Sequence, residues 1–375
     1  MEPARRLKFT FSNLPGLAWR EPVGRIVDLA RLCEEVGFDR FGVSDWRFMS
    51  DCLVTMTACL QRTHTLGIQS QVTDPYVRHP ALTAAAHATM QDLAPGRVIL
   101  GLGGGREQAA FWGQTHPYPI DAVREAVAIC RAMFAGEAVS FEGKAIRVYG
   151  ARLNFRLADA DIPILIAARG RGMLCLAGEI ADVVHFASWF INVAHYRDNL
   201  AAVQEGAVRG GRTVNDFEID VSIPVCIAAD RERARRPARR LAAQAILWMA
   251  GAEKYSSGRR DWRTPAEFNV PPSVVDALRT RWDMWSQPEL PDELAAMITD
   301  DICDQFVVAG EPRECAERMA RIVRERPEAT GIRIQAHPPR GGTSYDGYAE
   351  TVRGMGEVIE HVHAQTSAVA AGAAR

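Results

Sequence analysis

The stretch that decides the fold is residues 66–105, which read LGIQSQVTDPYVRHPALTAAAHATMQDLAPGRVILGLGGG. It contains two short apolar runs, Leu66 to Val72 and Val98 to Leu102, each bounded by turn residues as buried strands are. Between them lie a polar loop with two prolines, an alanine-rich helix over about residues 81–93 and the turn Ala94-Pro95-Gly96. This order of strand, loop, helix, turn and strand is a βαβ crossover, which predicts a parallel sheet.

The same alternation extends over most of the chain. Further strands are predicted at 7–11, 41–43, 162–167, 182–186, 217–228 and 331–336, with helices between them. Eight main strands favour an α/β fold of the (β/α)8 TIM barrel type with insertions over an open doubly wound sheet. We predict one barrel domain over residues 1–363, with insertions at about 135–160 and 251–300, and a disordered tail at 364–375. A hairpin signature, VSFEGKAIRVY at 139–149, marks the first insertion.

Composition and charge narrow the class of protein. The formal net charge is −2 and the pI is near 6.5, so nothing indicates nucleic acid or an anionic membrane as a partner. No apolar run approaches the ~18 residues of a membrane span, and no apolar signal core follows Arg5 and Arg6. The eight cysteines are scattered without a CxxC pair, which favours a reduced cytoplasmic protein over a disulfide framework. The first strand offers no HxH pair, so we expect no metal.

Glycines follow the second strand of the opening stretch. The sequence GLGGG at 101–105 is spaced GxGxG, and a loop-like segment follows it where a dinucleotide fingerprint would open a helix. We therefore reject a Rossmann motif. Two interpretations remain. The glycines form either a tight loop at the strand end or, as we favour, a backbone that approaches a flat ligand where a Cβ would block it.

A phosphate-binding segment is predicted between a strand and a helix, at Ala168, Arg169, Gly170, Arg171, Gly172 and Met173. Free N–H groups at the helix start, the helix dipole and two arginines would bind an anion there. The alternative is a flexible loop with solvated arginines. A later helix at 231–250 carries Arg231, Arg235 and Arg239 on one face, which we interpret as a solvated face rather than a binding patch.

Polar residues also stand at the ends of other predicted strands. Asp45, followed by Trp46, ends the second strand, where a carboxylate would either point into the barrel mouth or cap a helix. The run Ser70-Gln71-Val72-Thr73 places a polar pair in an apolar strand, which suggests a β-bulge. His185 and His337 could face the mouth, although such histidines are more often packed or hydrogen-bonded than ligands.

Four segments together resemble the luciferase-like monooxygenase superfamily. They are residues 73–105 of the opening stretch, GFDRFGVSD at 37–45, IPILIAARGRGMLCLAGEIADVV at 162–184 and VVAGEPRECAERM at 307–319. Within the superfamily the chain is similar to the deazaflavin-dependent branch, which uses coenzyme F420 and includes methylenetetrahydromethanopterin reductase. The resemblance covers most of residues 8–340 and is weakest over 185–300.

The resemblance implies that the C-terminal mouth of the barrel holds a deazaflavin ring and transfers a hydride between its C5 and a small organic substrate. Asp45 would contact the ring region. Either Ser70-Gln71 or Gln71-Val72 would form the bulge that supports the ring, often with a non-prolyl cis peptide, and Thr73 follows it. Gly103 and Gly104 would lie beside the ring or its side chain, and the 168–173 loop would hold the phosphate. We expect a homodimer.

The sequence departs from the family pattern at two positions. Many relatives have histidine where this chain has Trp46, and some have glutamate where it has Arg106, with Glu107 one place on. These differences argue against sugar-phosphate dehydrogenase activity and leave the acid or base open. The candidates are Asp45, Glu107, His116 and His185, with Trp46 as a further active-site residue. An FMN-dependent monooxygenase and a non-catalytic flavin-binding relative remain as alternatives.

The substrate is not indicated by any motif. Aromatic residues in the least family-like segments hint at an apolar or aromatic-lined pocket; they are Trp189, Phe190, Trp262, Trp282 and Trp285.

Overall fold

The computed structural model describes residues 6–13, 21–46, 49–105, 117–187, 191–251, 263–284, 286–287, 289–338 and 344–373. Its strands are β1 (Lys8–Asn13), β2 (Arg40–Val43), β3 (Gly67–Ser70), β4 (Val98–Leu102), β5 (Val139–Glu142), β6 (Arg147–Ala151), β7 (Ile164–Ala168), β8 (Val183–Phe186), β9 (Glu218–Ile227), β10 (Val308–Gly310) and β11 (Gly331–Ala336).

In this described part of the chain, eight parallel strands close a barrel. Their order is β9, β11, β1, β2, β3, β4, β7 and β8, and β8 pairs again with β9. The predicted (β/α)8 TIM barrel is therefore confirmed. β10 stands beside β9 outside this ring. Residues 218–221 of β9 pair with β8, whereas residues 225–227 pair with β10.

Helices surround the barrel and follow its strands. The α-helices are Val23–Glu35, Cys52–Arg62, Pro80–Leu93, Pro119–Phe134, Arg171–Ile180, Val193–Arg209, Arg231–Met249, Pro272–Arg281, Asp292–Ala295, Asp300–Cys303, Pro312–Arg324 and Tyr345–Ala373. Short 3-10 helices lie at Val214–Asp216 and Pro265–Phe268. Among these helices, none combines the length and the apolar character needed to cross a membrane.

Side chains alternate along each barrel strand between the helix layer and the barrel axis. The outward side chains, such as Phe9, Phe11 and Phe41, are buried in the main hydrophobic core. The register of paired strands identifies the inward side chains. On β1, β2, β3, β9 and β11 these are mostly polar, namely Thr10, Ser12, Arg40, Gln69, Asp220, Ser222, Arg333 and Gln335. The inward side chains of β4, β7 and β8 include an apolar group, which consists of Ile99, Leu165 and Val183.

The first predicted insertion is an antiparallel hairpin of β5 and β6 outside the barrel sheet. Its turn is held by Glu125 of the helix Pro119–Phe134. This carboxylate accepts hydrogen bonds from the backbone N–H groups of Lys144, Ala145 and Ile146 at 2.7, 3.1 and 2.8 Å.

The second predicted insertion builds its own hydrophobic core. Buried side chains from residues 268–307 pack on the helix Arg231–Met249, on Cys226 of β9 and on Ala309 of β10. Trp282 belongs to this core, and its Nε1 donates to the carbonyl oxygens of Gln287 and Glu289. The indole therefore stabilises the insertion rather than lining an open pocket.

The interpretation of the basic helix face as solvated is wrong for Arg235. Its side chain is 2% exposed and forms ion pairs with Asp304 at 2.6 Å, Glu314 at 3.2 Å and Asp300 at 3.6 Å. The arginine stripe connects the helix to the insertion and to the helix Pro312–Arg324, because acidic residues from both converge on it.

The expected disordered tail is also corrected. The last helix continues to Ala373, so residues 364–373 are helical rather than unstructured. Alanine makes up half of TSAVAAGAAR and has the highest helix propensity of the amino acids, and this extends the helix begun at Tyr345.

Candidate functional site

A bulge follows β3 at the barrel mouth. Gln69 pairs with Ile99, and Thr73 pairs with Leu102. Between these two pairs the chain after β3 advances four residues while β4 advances three, so the chain after β3 holds one extra residue. The Ser70 hydroxyl fills the gap by accepting from the Gly101 N–H at 2.8 Å and donating to the Gly101 carbonyl at 3.1 Å. The predicted bulge is thus confirmed. The peptide bond between Gln71 and Val72 is cis, at one of the two positions that the resemblance implied.

The glycines after β4 have two different environments. A Cβ at Gly103 would lie 2.6 Å from Cγ2 of Val72, and a Cβ at Gly101 would overlap the Ser70 carbonyl. Gly101 and Gly103 therefore leave the space that the bulge residues Ser70 and Val72 occupy. The sequence did not reveal this structural requirement. Gly104 is more open, because a Cβ there would only touch Pro119 at 3.5 Å and Met173 at 3.6 Å.

The contact between Gly104 and Met173 brings two predicted cofactor segments together. The helix Arg171–Ile180 begins after Gly170, which provides no side-chain cap, and its first turn holds no acidic residue. Its first N–H groups are therefore available to an anion. The two arginines are already engaged. Arg169 Nε donates to the Ala187 carbonyl at 3.0 Å, and Arg171 forms an ion pair with Glu205.

Asp45 lies at the end of β2 and is mostly buried. Its Oδ2 forms an ion pair with Arg78 at 3.2 Å, and Arg78 also reaches Asp51 at 3.4 Å. Asp51 caps the next helix by accepting from the Val54 N–H, so the capping role falls to Asp51. Asp45 is thus fixed by the polar loop that follows the bulge, with Trp46 beside it in the chain.

The side chain of Gln71 extends across the top of the barrel. Its Nε2 donates to the Ser12 hydroxyl, and its amide occupies the space that a side chain at position 42 would fill. Gly42 is therefore required for this placement. The remaining predicted acid or base residues, Glu107 and His116, lie outside the described residues.

His185 is inside the barrel, below the mouth. Its Nδ1 is 3.2 Å from the Asp220 carbonyl and its Nε2 is 3.2 Å from the Ser222 hydroxyl. Burial, followed by the nearby Arg333 charge, lowers the pKa of His185 to about 3. The imidazole is neutral near pH 7, and any effect on a bound ring would pass through its neighbours.

A buried ion pair between Arg333 and Asp220 lies beside His185 inside the barrel. Arg333 Nε donates to Asp220 Oδ2 at 2.9 Å, and both side chains are almost fully buried. Burial alone would raise the pKa of Asp220, but the charge and hydrogen bonds of Arg333 lower it below its ordinary value. With its oxygen turned toward Arg333, the Gln69 amide accepts from the guanidinium at 2.7 and 3.0 Å.

Besides Gln71 Oε1, three polar atoms at the mouth have no hydrogen-bond partner within the described structure. They are Thr73 Oγ1, Gln335 Oε1 and His337 Nε2, and each is buried. Thr73 was expected beside the cofactor, whereas Gln335 was missed. The period-two polar pattern of GIRIQA, with Arg333 and Gln335 on one face, could have indicated it. Within the same described ranges, no three His, Cys, Asp or Glu side chains are arranged to hold a metal ion.

Comparison with known proteins identifies the family to which this chain belongs. The family model described as luciferase-like monooxygenase matches residues 8–327. The 5,10-methylenetetrahydromethanopterin reductase of Methanolobus tindarius is 30% identical over 81% of this chain and 88% of its own length. The F420-dependent glucose-6-phosphate dehydrogenase of Nocardia farcinica is 31% identical over 70% of this chain and 81% of its own length.

A solved structure shows the same fold. The coenzyme F420 dependent tetrahydromethanopterin reductase of Methanopyrus kandleri aligns with a TM-score of 0.74 and 21% identity, covering 95% of this chain and 99% of that one. The family match, the curated relatives and the bulged barrel agree, and the chain belongs to the luciferase-like monooxygenase family.

Proposed function

We propose that the chain is a coenzyme F420-dependent oxidoreductase that transfers a hydride between C5 of the deazaflavin and a small organic substrate. One observation carries this proposal. The bulge after β3, the glycines after β4 and the uncapped helix start after β7 surround one end of the barrel, and two relatives matched over 70% of the chain are named F420-dependent glucose-6-phosphate dehydrogenases.

The residues around this end fit such a coenzyme. The N–H groups at the start of Arg171–Ile180 would bind its phosphate, and Gly104 leaves room for the chain that joins the phosphate to the ring. The Thr73 hydroxyl, which is buried without a partner in the described structure, would donate to or accept from the coenzyme. Val72 would support one face of the ring.

When bound, the deazaflavin supplies the hydride acceptor or donor at its C5. The chain positions the reactants and keeps water away. Asp45, fixed by Arg78, offers an acceptor beside the ring, and Trp46 would cover it. The proton donor or acceptor stays a prediction among Asp45, Trp46, Glu107, His116 and His185. Of these, His185 already has both ring nitrogens within hydrogen-bond distance of the Asp220 carbonyl and the Ser222 hydroxyl.

Cofactor binding tests the proposal. Each cofactor is titrated while the fluorescence of the eight tryptophans is followed. We expect tight quenching by coenzyme F420. Replacement Thr73→Val should weaken binding two- to tenfold, because one hydrogen bond contributes about 0.5–1.5 kcal/mol. The control Thr89→Val removes a hydroxyl that bonds within a surface helix. Tight FMN binding without deazaflavin binding would overturn the proposal in favour of an FMN-dependent monooxygenase.

Turnover is tested by a screen for hydride exchange with the coenzyme across imines, enones, alcohols and pterin-like compounds. A change in deazaflavin absorbance that depends on one compound class supports an enzyme. Coenzyme binding without exchange in any class would favour a non-catalytic relative.

We also propose a homodimer in the cytoplasm. All eight cysteines are buried and free, which suits a reducing compartment. Light scattering coupled to size-exclusion chromatography measures the mass, and a monomer at micromolar concentration would contradict the dimer.

A further inference from the structure

Two polar side chains, one at the end of β11 and one just after it, have no role in the site described so far. Gln335 Oε1 and His337 Nε2 lack hydrogen-bond partners in the described part of the chain, although Gln335 is only 7% exposed. Leaving buried polar atoms unpaired costs stability. A ligand that bonded to them would remove that cost.

Both side chains face the barrel mouth. Gln335 is paired beside Ser12 of β1 and Pro224 of β9, and it shares the inward face of Arg333. The backbone N–H of His337 donates to the Val225 carbonyl at 2.9 Å, which continues the ladder between β11 and β9 by one step. The alternation of strand side chains then places His337 on the same face as Gln335.

The second insertion covers this side of the mouth. Cys226 of β9 has the inward position next to His337, and it packs in the core formed with the helix Arg231–Met249. Arg240 of that helix acts electrostatically on His337 and itself interacts with Glu289. His337 therefore lies between the barrel and its cover, and this explains why its Nε2 is buried.

The two groups are uncharged near neutral pH. Burial, and then the field of Arg240, lowers the pKa of His337 to about 3, and an amide does not titrate. A neutral imidazole offers one donor and one acceptor, and the amide offers both. An anion placed against this pair would lose its water without gaining an opposite charge from either residue, and the nearby Arg240 already has the Glu289 carboxylate as its electrostatic partner.

The pair stands across the barrel from the coenzyme's expected site. In the ring of eight strands, β11 is opposite β4, whose glycines border the predicted cofactor position. We propose that Gln335 and His337 form an uncharged recognition pair for the reacting substrate, which presents a carbonyl, hydroxyl or amide group there rather than a phosphate or carboxylate. The inference rests on the proposed function for the position of the coenzyme.

The first test separates recognition from a structural role. In His337→Leu, a buried polar atom without a partner becomes apolar, so we expect an unchanged or higher thermal midpoint. The matched control His87→Leu removes a buried imidazole whose Nδ1 lies 2.8 Å from the Thr83 carbonyl, and its midpoint should fall. A fall in His337→Leu as large as in His87→Leu would assign His337 to the fold and overturn the proposal.

The second test measures recognition. Deazaflavin-loaded wild type, His337→Leu and His337→Gln are assayed with neutral and phosphorylated or carboxylated members of matched compound pairs. We expect turnover of neutral members only, a KM at least tenfold higher in His337→Leu, substantial recovery in His337→Gln and unchanged coenzyme affinity in all three. A preference for the charged members, or an unchanged KM in His337→Leu, would overturn the proposal.

If no compound is turned over, the same pairs are scored by ligand-detected NMR. Binding of neutral members that is lost in His337→Leu supports the proposal, and absence of any binding overturns it. Failure of the coenzyme to bind would instead reject the proposed function, and the NMR comparison on the free protein would still decide whether the pair recognises neutral groups.

Discussion

The Glu34 carboxylate makes hydrogen bonds whose contribution to the unfolding free energy can be estimated directly from its pKa. It stands at the end of the helix Val23–Glu35 and accepts from the backbone N–H groups of His64, Thr65 and Leu66 at 2.8, 2.6 and 2.9 Å. The Thr65 hydroxyl adds a fourth bond at 3.0 Å. One side chain therefore fixes the turn that leads into β3, and β3 carries the bulge of the site.

The pKa of Glu34 gives the magnitude of the stabilisation by these hydrogen bonds. Partial burial alone would raise the pKa, but the backbone bonds from residues 64–66 lower it from 4.5 to about 2. That difference corresponds to about 3 kcal/mol between the two protonation states. Because the carboxylate is partly exposed, solvent screening reduces this, and we expect Glu34→Gln to lower the unfolding free energy by about 1–2 kcal/mol.

The pH dependence has a definite sign. The pKa is lower in the folded chain, so the carboxylate stabilises fully above pH 4.5 and loses this effect as the pH falls toward 2. Urea unfolding is measured from pH 8 downward for wild type, Glu34→Gln and the exposed control Glu35→Gln. The deficit of Glu34→Gln should be constant above about pH 5 and shrink below it. A deficit equal to that of Glu35→Gln, or one that persists in acid, would refute the reasoning.

Three further substitutions test other parts of the structure. Asp220→Asn leaves the Arg333 guanidinium buried without its carboxylate, so urea unfolding should show a loss of about 3–5 kcal/mol; a negligible loss would contradict the interior pair. Gly103→Ala places a methyl group 2.6 Å from Val72, and we expect about 1–3 kcal/mol of overpacking together with weaker quenching by the deazaflavin. An unchanged titration would contradict that packing. Arg235→Leu leaves three carboxylates without their shared cation, so limited proteolysis with mass spectrometry should show faster cleavage within residues 263–303. A cleavage rate equal to that of wild type would show that the ion pairs of Arg235 do not stabilise the insertion.

The barrel and the bulge could be predicted because their signals are local. Apolar runs, turn residues and glycines within residues 66–105 specify a βαβ unit, and the polar pair Ser70-Gln71 marks the irregular strand end. The structure adds that the Ser70 hydroxyl completes the ladder to Gly101, a contact across 31 residues that the pattern of either strand alone does not encode.

Other features depend on contacts that no local pattern encodes. Arg235 resembles any solvated arginine on a basic helix until Asp300, Asp304 and Glu314 converge on it in three dimensions. Likewise, Gln335 and His337 are separated by one residue, as inward residues of a strand must be, but no local pattern shows that Arg240 of a distant helix acts on His337. Local periodicity reports which face a residue occupies and not what covers it.

The pairing of β9 has a consequence for how this fold can diversify. Along one edge, residues 218–221 pair with β8 and close the ring, whereas residues 225–227 pair with β10, and the opposite edge stays paired with β11 through Val225. The segment between β9 and β10 can therefore be exchanged or lengthened without altering ring closure. Since that segment covers one side of the mouth, a lineage could acquire new substrates by replacing a single module while inheriting its coenzyme machinery intact.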